Sequence, residues 1–174
     1  AERGMDLFRL SKETGTPIYF EAAVAGGIPI IDSMRDSLVS NNFLSIAGII
    51  NGTSNYILER MTTAGLDYKT ALAEAQEKGY AEADPALDVN GWDAAHKALI
   101  LGLLAYGTPI DPEQIYVSGI EGVRPVDIKF ADTLGYTVKL LAVIRQHDGK
   151  SIELRVQPSF VPRKHILSSV NGVF

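Results

Sequence analysis

Apolar positions along this chain switch between helical and strand spacing, and Gly and Pro mark most of the switches. Residues Met5 to Thr14 read as a helix closed by Gly15. PIYFEAAV, residues 17–24, is rich in β-branched and aromatic side chains; it predicts a strand running into Gly26-Gly27, with Pro29 opening a helix toward Val39. FLSIAGIING predicts a second strand, and its near-continuous apolar run implies cover on both faces. Asn51-Gly52-Thr53 breaks that strand and caps a helix through Met61, with Gly65 at its C′ position. Asp67 caps the next helix, which runs through Lys78 and is closed by Gly79.

After the polar loop YAEADPALDVN, the pattern predicts a helix from Gly91 to Tyr106. Asn90 is its N-cap, Asp93 follows three residues later as in a capping box, and Gly107 with Pro109 stops it. Asp127 to Leu134 reads as a short helix. TVKLLAVIRQ and SIELRVQPSF read as two strands joined by a turn at His147-Asp148-Gly149-Lys150. Turn signals are spread evenly and no repeat or low-complexity tract interrupts them, so the expectation is one compact unit. The first helix begins almost without lead-in and the chain stops at SSVNGVF inside an apolar pattern, which reads as a fragment cut at both ends.

The composition fits an ordinary globular protein: 174 residues, 46% hydrophobic and 21% charged. A net charge of −5 and the lack of any long basic run remove the field that non-specific nucleic-acid binding needs. The longest apolar stretch, Ala98 to Tyr106, falls well short of the roughly 18 residues of a membrane span. The charged start AERGMDLFRL does not read as a secretory signal, so the expectation is a soluble cytoplasmic chain. With no cysteine, disulfides, thiolate metal sites and Cys nucleophiles are excluded.

Candidate chemistry starts on the helix from Gly91 to Tyr106, which is apolar enough to be mostly buried yet carries Asp93 and Lys97. Four residues apart, acid first, they stack on one face in the orientation that favours an ion pair. Either they are an ordinary helix pair near the surface, or the lysine is a proton donor within a site. Glu82, Asp84 and Asp88 arrive just upstream. Four carboxylates around one lysine read as a site for a cationic group such as an amine, ahead of a solvated acidic loop; the regular spacing of a calcium loop is missing.

Two further segments place donors at helix starts. Asn51-Gly52-Thr53-Ser54-Asn55 sets more hydroxyl and amide groups at a strand-to-helix junction than one cap requires, and free N–H groups there suit a ligand carboxylate. AVAGGIP ends a strand in paired glycines ahead of Pro29, which is either a tight turn or an anion site; it does not meet the dinucleotide pattern. His96, His147 and His165 show neither metal-ligand spacing nor a triad.

Taken together, EAAVAGGIPII, GIINGTSNYIL, KGYAEADPALDVNGWDAAHKALIL and SSVNGVF resemble homoserine dehydrogenase, in order and approximate spacing over nearly the whole chain. The resemblance implies an α+β fold with a mixed sheet covered mainly on one face by helices, in one catalytic domain over residues 1–174. It implies a reversible NAD(P)-dependent interconversion of L-homoserine and L-aspartate 4-semialdehyde, on the route to threonine, methionine and isoleucine. Lys97 then matches the proton donor, Asp93 the acid that helps hold the substrate hydroxyl, and Glu82 the carboxylate that binds the substrate amine. Asp88 and Tyr80 line the same pocket, Gly52 and Thr53 lie along it, and Gly79 falls beside the nicotinamide of NADP or NAD. Glu21, with the carbonyls of Val24, Gly26 and Ile28, resembles the family's loop for a monovalent cation such as sodium. A homodimer built through the two long strands is also implied.

The family's nucleotide-binding domain does not lie within this sequence, so the isolated chain is expected to be nearly inactive. The alternative is a non-catalytic amino-acid-binding or oligomerisation module, which would have no need of Asp93 and Lys97. A dehydrogenase that forms a thioester would need a cysteine.

Overall fold

A computed structural model describes residues 3–149 and 151–173; Lys150 of the expected turn and Phe174 of the closing segment lie outside the described residues. Helix α1 (Gly4–Thr14) ends on Gly15 in a left-handed conformation, φ 67°. Residues 17–24 do not form the expected strand: the backbone is irregular to residue 20 and then turns. Strand propensity describes a residue's fit to a pleated surface, but a strand also needs an edge to pair with. No described strand pairs with this segment, and Tyr19 is 84% exposed. The helix expected from Pro29 is short: α2 (Ile30–Asp32) passes into one wide π turn, Ser33–Ser37, and ends at Leu38.

Strand β1 (Ser45–Gly48) is shorter than its apolar run and is not covered on both faces. It is an edge strand, and Ser45 and Ala47 alternate outward. Helix α3 (Gly52–Thr63) starts where expected, the Asn51 Oδ1 accepting from the Ser54 N–H at 2.8 Å. Helix α4 (Tyr68–Glu77) is capped by Asp67, which accepts from the Thr70 N–H at 2.8 Å. The polar loop hides one turn of helix, α5 (Ala86–Val89), too short for periodicity to reveal. Helix α6 (Trp92–Tyr106) begins differently from the expectation. Gly91, at φ 89°, is its N-cap; Asn90 Oδ1 instead accepts from the Trp92 N–H at 3.0 Å. No capping box forms, because the Asp93 carboxylate is turned to other partners.

Strand β2 (Tyr116–Val117) was not legible in the pattern; two residues carry no period. After α7 (Pro125–Thr133), strands β3 (Tyr136–His147) and β4 (Ser151–Pro162) form a long hairpin in which Ala142 faces Val156. The sheet order is β1-β3-β4-β2, antiparallel except for the parallel β2–β4 pair. The fold is therefore α+β with a mixed sheet, as expected. Val138, Leu140, Ala142 and Ile144 alternate with Leu154 and Val156 as buried positions of the hairpin. They meet the helices: Gly102 of α6 lies against Ile144 and Ile110, and a side chain there would press on Ile110. The opposite positions Val143, Glu153, Arg155 and Gln157 stay partly exposed. Ile57, Leu58 and Met61 of α3 complete the core, each such burial contributing about 1.5 to 3 kcal/mol.

Candidate active site

The junction between β1 and α3 faces the N-terminal half of α6. The i, i+4 spacing brings Lys97 Nζ to 2.6 Å from Asp93 Oδ2, and the Ile50 carbonyl, at the end of β1, accepts from the same Nζ at 3.2 Å. Asn51 comes next in the chain and is buried. Its Nδ2 donates both to Asp88 Oδ1, at 2.7 Å, and to Asp93 Oδ2, at 2.8 Å. The Ser54 hydroxyl donates to the Asp88 carbonyl at 2.8 Å, tying α3 to α5. The side chains of Lys97 and Asp93 are 28% and 29% exposed, so the pair is anchored on the protein side yet open to a ligand.

A second layer supports the neighbouring wall. Thr53 Oγ1 donates to the Tyr80 carbonyl at 2.7 Å, and the Tyr80 ring packs edge-on against Tyr56 at 5.0 Å. The Tyr56 hydroxyl donates to Glu74 Oε1 at 2.7 Å, while Arg60 holds Glu74 Oε2 at 3.0 Å. Burial, then the bond to Glu74, pushes the Tyr56 hydroxyl up to about 12. The same two hydrogen bonds, from Tyr56 and then Arg60, hold Glu74 below the ordinary carboxylate range.

The structure thus gathers Lys97, Asp93 and Asp88, with Gly52 and Thr53 at the start of α3. It does not gather all four carboxylates around the lysine. Glu82 and Asp84 are exposed, and Asp84 caps its own loop by accepting from the Ala86 N–H at 3.2 Å. Gly79 sits past the end of α4 at φ 74°, with open space where a side chain would stand. Tyr80 is 43% exposed beside it.

Glu21, Val24, Gly26 and Ile28 lie on a separate turn. Glu21 accepts from the N–H groups of Ile31 and Asp32 at 2.8 and 2.9 Å, so the N–H groups read as free for an anion ligand are held by the chain's own carboxylate. The turn is completed by Ala25 at φ 49°, with Ile28 N–H donating to the Ala25 carbonyl at 2.8 Å. Among the described residues no three His, Asp or Glu side chains gather as a metal site. No helix among them is long and apolar enough to cross a membrane.

Two contributors went unread in the sequence. Asn51 looked like a cap and is also the bridge between two carboxylates. Lys139 looked like an ordinary strand residue and is 1% exposed; a lysine between Val138 and Leu140 in an apolar strand was the available signal.

Set beside known proteins, the chain is similar to dehydrogenases. The sequence model of the homoserine dehydrogenase family matches residues 29–174, and the chain belongs to that family. A homoserine dehydrogenase from Neisseria gonorrhoeae is 50% identical over 173 residues, 99% of this chain and 40% of the relative. The crystal structure of a homoserine dehydrogenase from Thiobacillus denitrificans superposes with a TM-score of 0.95 at 44% identity, covering 99% of this chain and 40% of that one. A hyperthermophilic archaeal homoserine dehydrogenase solved in complex with NADPH matches at TM-score 0.80 and 32% identity, over 97% of this chain and 47% of that one. The chain spans about 40% of the length of the curated relatives it matches.

Proposed function

We propose that residues 1–174 are the substrate-binding and dimerisation domain of an NAD(P)-dependent enzyme. It interconverts L-homoserine and L-aspartate 4-semialdehyde, on the route to threonine, methionine and isoleucine. The observation that carries the reading is the use of Lys97's donors. An ammonium group has three, and Asp93 and the Ile50 carbonyl take two. Among the described residues nothing takes the third, which can reach a substrate oxygen.

In the reducing direction Lys97 gives a proton to the aldehyde oxygen as charge develops there, leaving the homoserine hydroxyl. Asp93 keeps the lysine aimed and helps hold that oxygen. Glu82 takes the substrate ammonium, with Asp88 and Tyr80 lining the pocket. Gly52 and Thr53 offer first-turn N–H groups that no helical carbonyl reaches, which suits a substrate carboxylate. NADPH or NADH, when bound, would supply the hydride and leave as NADP or NAD. The open space over Gly79 suits a flat ring lying against the backbone.

On the separate turn, Glu21 and the carbonyls of Val24, Gly26 and Ile28 would supply oxygen-only donors, the type that suits a hard monovalent cation such as sodium. The partly exposed sheet face with Val143 and Gln157 serves a homodimer. The test is NADPH consumption with aspartate 4-semialdehyde by a full-length enzyme carrying this chain, wild type beside Lys97→Ala. Turnover lost in the variant supports the reading; two folded enzymes with no turnover, or with equal turnover, overturn it. Residues 1–174 alone, about 40% of the length of the relatives, turn over almost nothing in the same assay.

A further inference from the structure

Lys139 is the largest fully buried side chain among the described residues, and nothing in the reaction above uses it. Its Nζ donates to Asn55 Oδ1 at 3.1 Å, to Asn171 Oδ1 at 3.2 Å and to the Val170 carbonyl. All three ammonium donors are thereby spent on neutral oxygens, which leaves this lysine nothing for substrate. Burial draws its pKa below the usual lysine range, and the Glu59 carboxylate pulls it back. Burying a cation without a carboxylate in direct contact is costly, whereas an apolar residue in a strand is not. What the lysine provides is a fixed position for residues 170–173.

That segment is held on its other side by α3. Asn55 Nδ2 donates to the carbonyls of Val170 and Gly172 at 3.2 and 2.9 Å, and the Gly172 N–H donates to Glu59. One residue further, the Val173 carbonyl lies so close over Gly52 that a Cβ there would collide with it. Gly52 follows Asn51 directly, and the Asn55 N–H donates to the Asn51 carbonyl at 3.2 Å. A continuous set of contacts therefore runs from Lys139 through residues 170–173 and Asn55 to Asn51, and from Asn51 to Asp93 and Asp88.

We propose that Lys139 is a positioning residue for the reaction: by clamping residues 170–173 against α3 it sets Asn51, and through Asn51 the Asp93–Lys97 pair. The inference rests on the function proposed above. Its test is Lys139→Met in a full-length enzyme, made in the wild-type and in the Asp93→Ala background, with kcat expressed per folded molecule. In wild type kcat falls about 10-fold to 100-fold while KM changes less, as for a small misplacement of a catalytic group. In the Asp93→Ala background the loss shrinks to about twofold or less, because the residue it acts through is gone. A kcat within about twofold of wild type, or the same loss in both backgrounds, overturns the proposal.

Hydrogen exchange gives a readout without turnover. Lys139→Met speeds exchange at the Ser54 and Asn55 amides, and unchanged exchange also overturns the proposal. Should Lys139→Met fail to fold, Asn171→Ala removes one acceptor at an exposed position and answers the same question. If Asp93→Ala is as active as wild type, the proposed active site is wrong, and exchange at Ser54 and Asn55 still decides whether Lys139 holds this end of α3.

Discussion

Asn51 Nδ2 lies 2.8 Å from Asp93 Oδ2, and that same oxygen accepts from Lys97 at 2.6 Å. One carboxylate oxygen thus receives a neutral donor from the strand-to-helix junction and a charged donor from its own helix. The shared acceptor ties one Asp93 oxygen to both donors, so the lysine is aimed by two elements far apart in sequence.

Replacing that neutral donor by a carboxylate tests the relationship. Asn51→Asp keeps an N-cap oxygen for Ser54 but places a third acid against Asp88 and Asp93. We expect a loss of about 2 to 4 kcal/mol, the scale of a buried polar group left unpaired beside like charge. Urea unfolding of both proteins checks it, and an unchanged midpoint refutes the bridge.

Lys97→Ala in a full-length enzyme should lower kcat by about 10² to 10⁴, with KM changing less, as for loss of a positioned acid. Asp93→Ala should harm both constants, because it loosens substrate and lysine together. Steady-state kinetics separates the two patterns.

Glu82 is exposed and outside the Asn51 network, so in the proposed amine-binding role it would serve binding and not the architecture. Glu82→Ala should raise KM about 10-fold to 100-fold, the cost of one charge-assisted hydrogen bond, with kcat and thermal stability nearly unchanged. A fall in kcat as large as that of Lys97→Ala would remove Glu82 from the amine-binding role.

Glu74 makes stability depend on acid. Its folded pKa is lowered by the Tyr56 and Arg60 hydrogen bonds, so the folded state binds this proton less readily than the unfolded state. The stabilisation is fully present above the unfolded carboxylate range, about pH 4 to 5, and is lost as pH falls through the folded value. Chemical denaturation at pH 7 and near pH 3 should show wild type losing more stability than Glu74→Gln over that interval. Parallel losses would contradict the assignment.

The sequence made some levels of this molecule legible and not others. Two caps were readable because they are local chemistry: Asn51 and Asp67 sit where their side chains satisfy a first-turn N–H three residues on, whereas Asn90 gave way to Gly91 at the start of α6. The Asp93–Lys97 pair was readable for the same reason, since helical periodicity alone places i and i+4 together. The failures were failures of context. Residues 17–24 have the side chains of a strand but no strand beside them here, and β1 lost its second covered face because it lies at the sheet edge. Asn51's second role and the burial of Lys139 depend on partners 31 to 84 residues away, which no local spacing encodes.

The pairing of Ser45 with Arg145 has a consequence for how the molecule assembles. The β3–β4 hairpin closes over a few residues and can form early, whereas β1 must find β3 across the whole intervening run of helices. Loop-closure entropy opposes that step until the helices between have condensed. Ile50 and Asn51 sit just beyond the end of β1, so the lysine acquires its backbone acceptor only when this last strand docks. A partly folded chain can therefore hold a complete hairpin and several helices and still lack the contact between Lys97 and the Ile50 carbonyl.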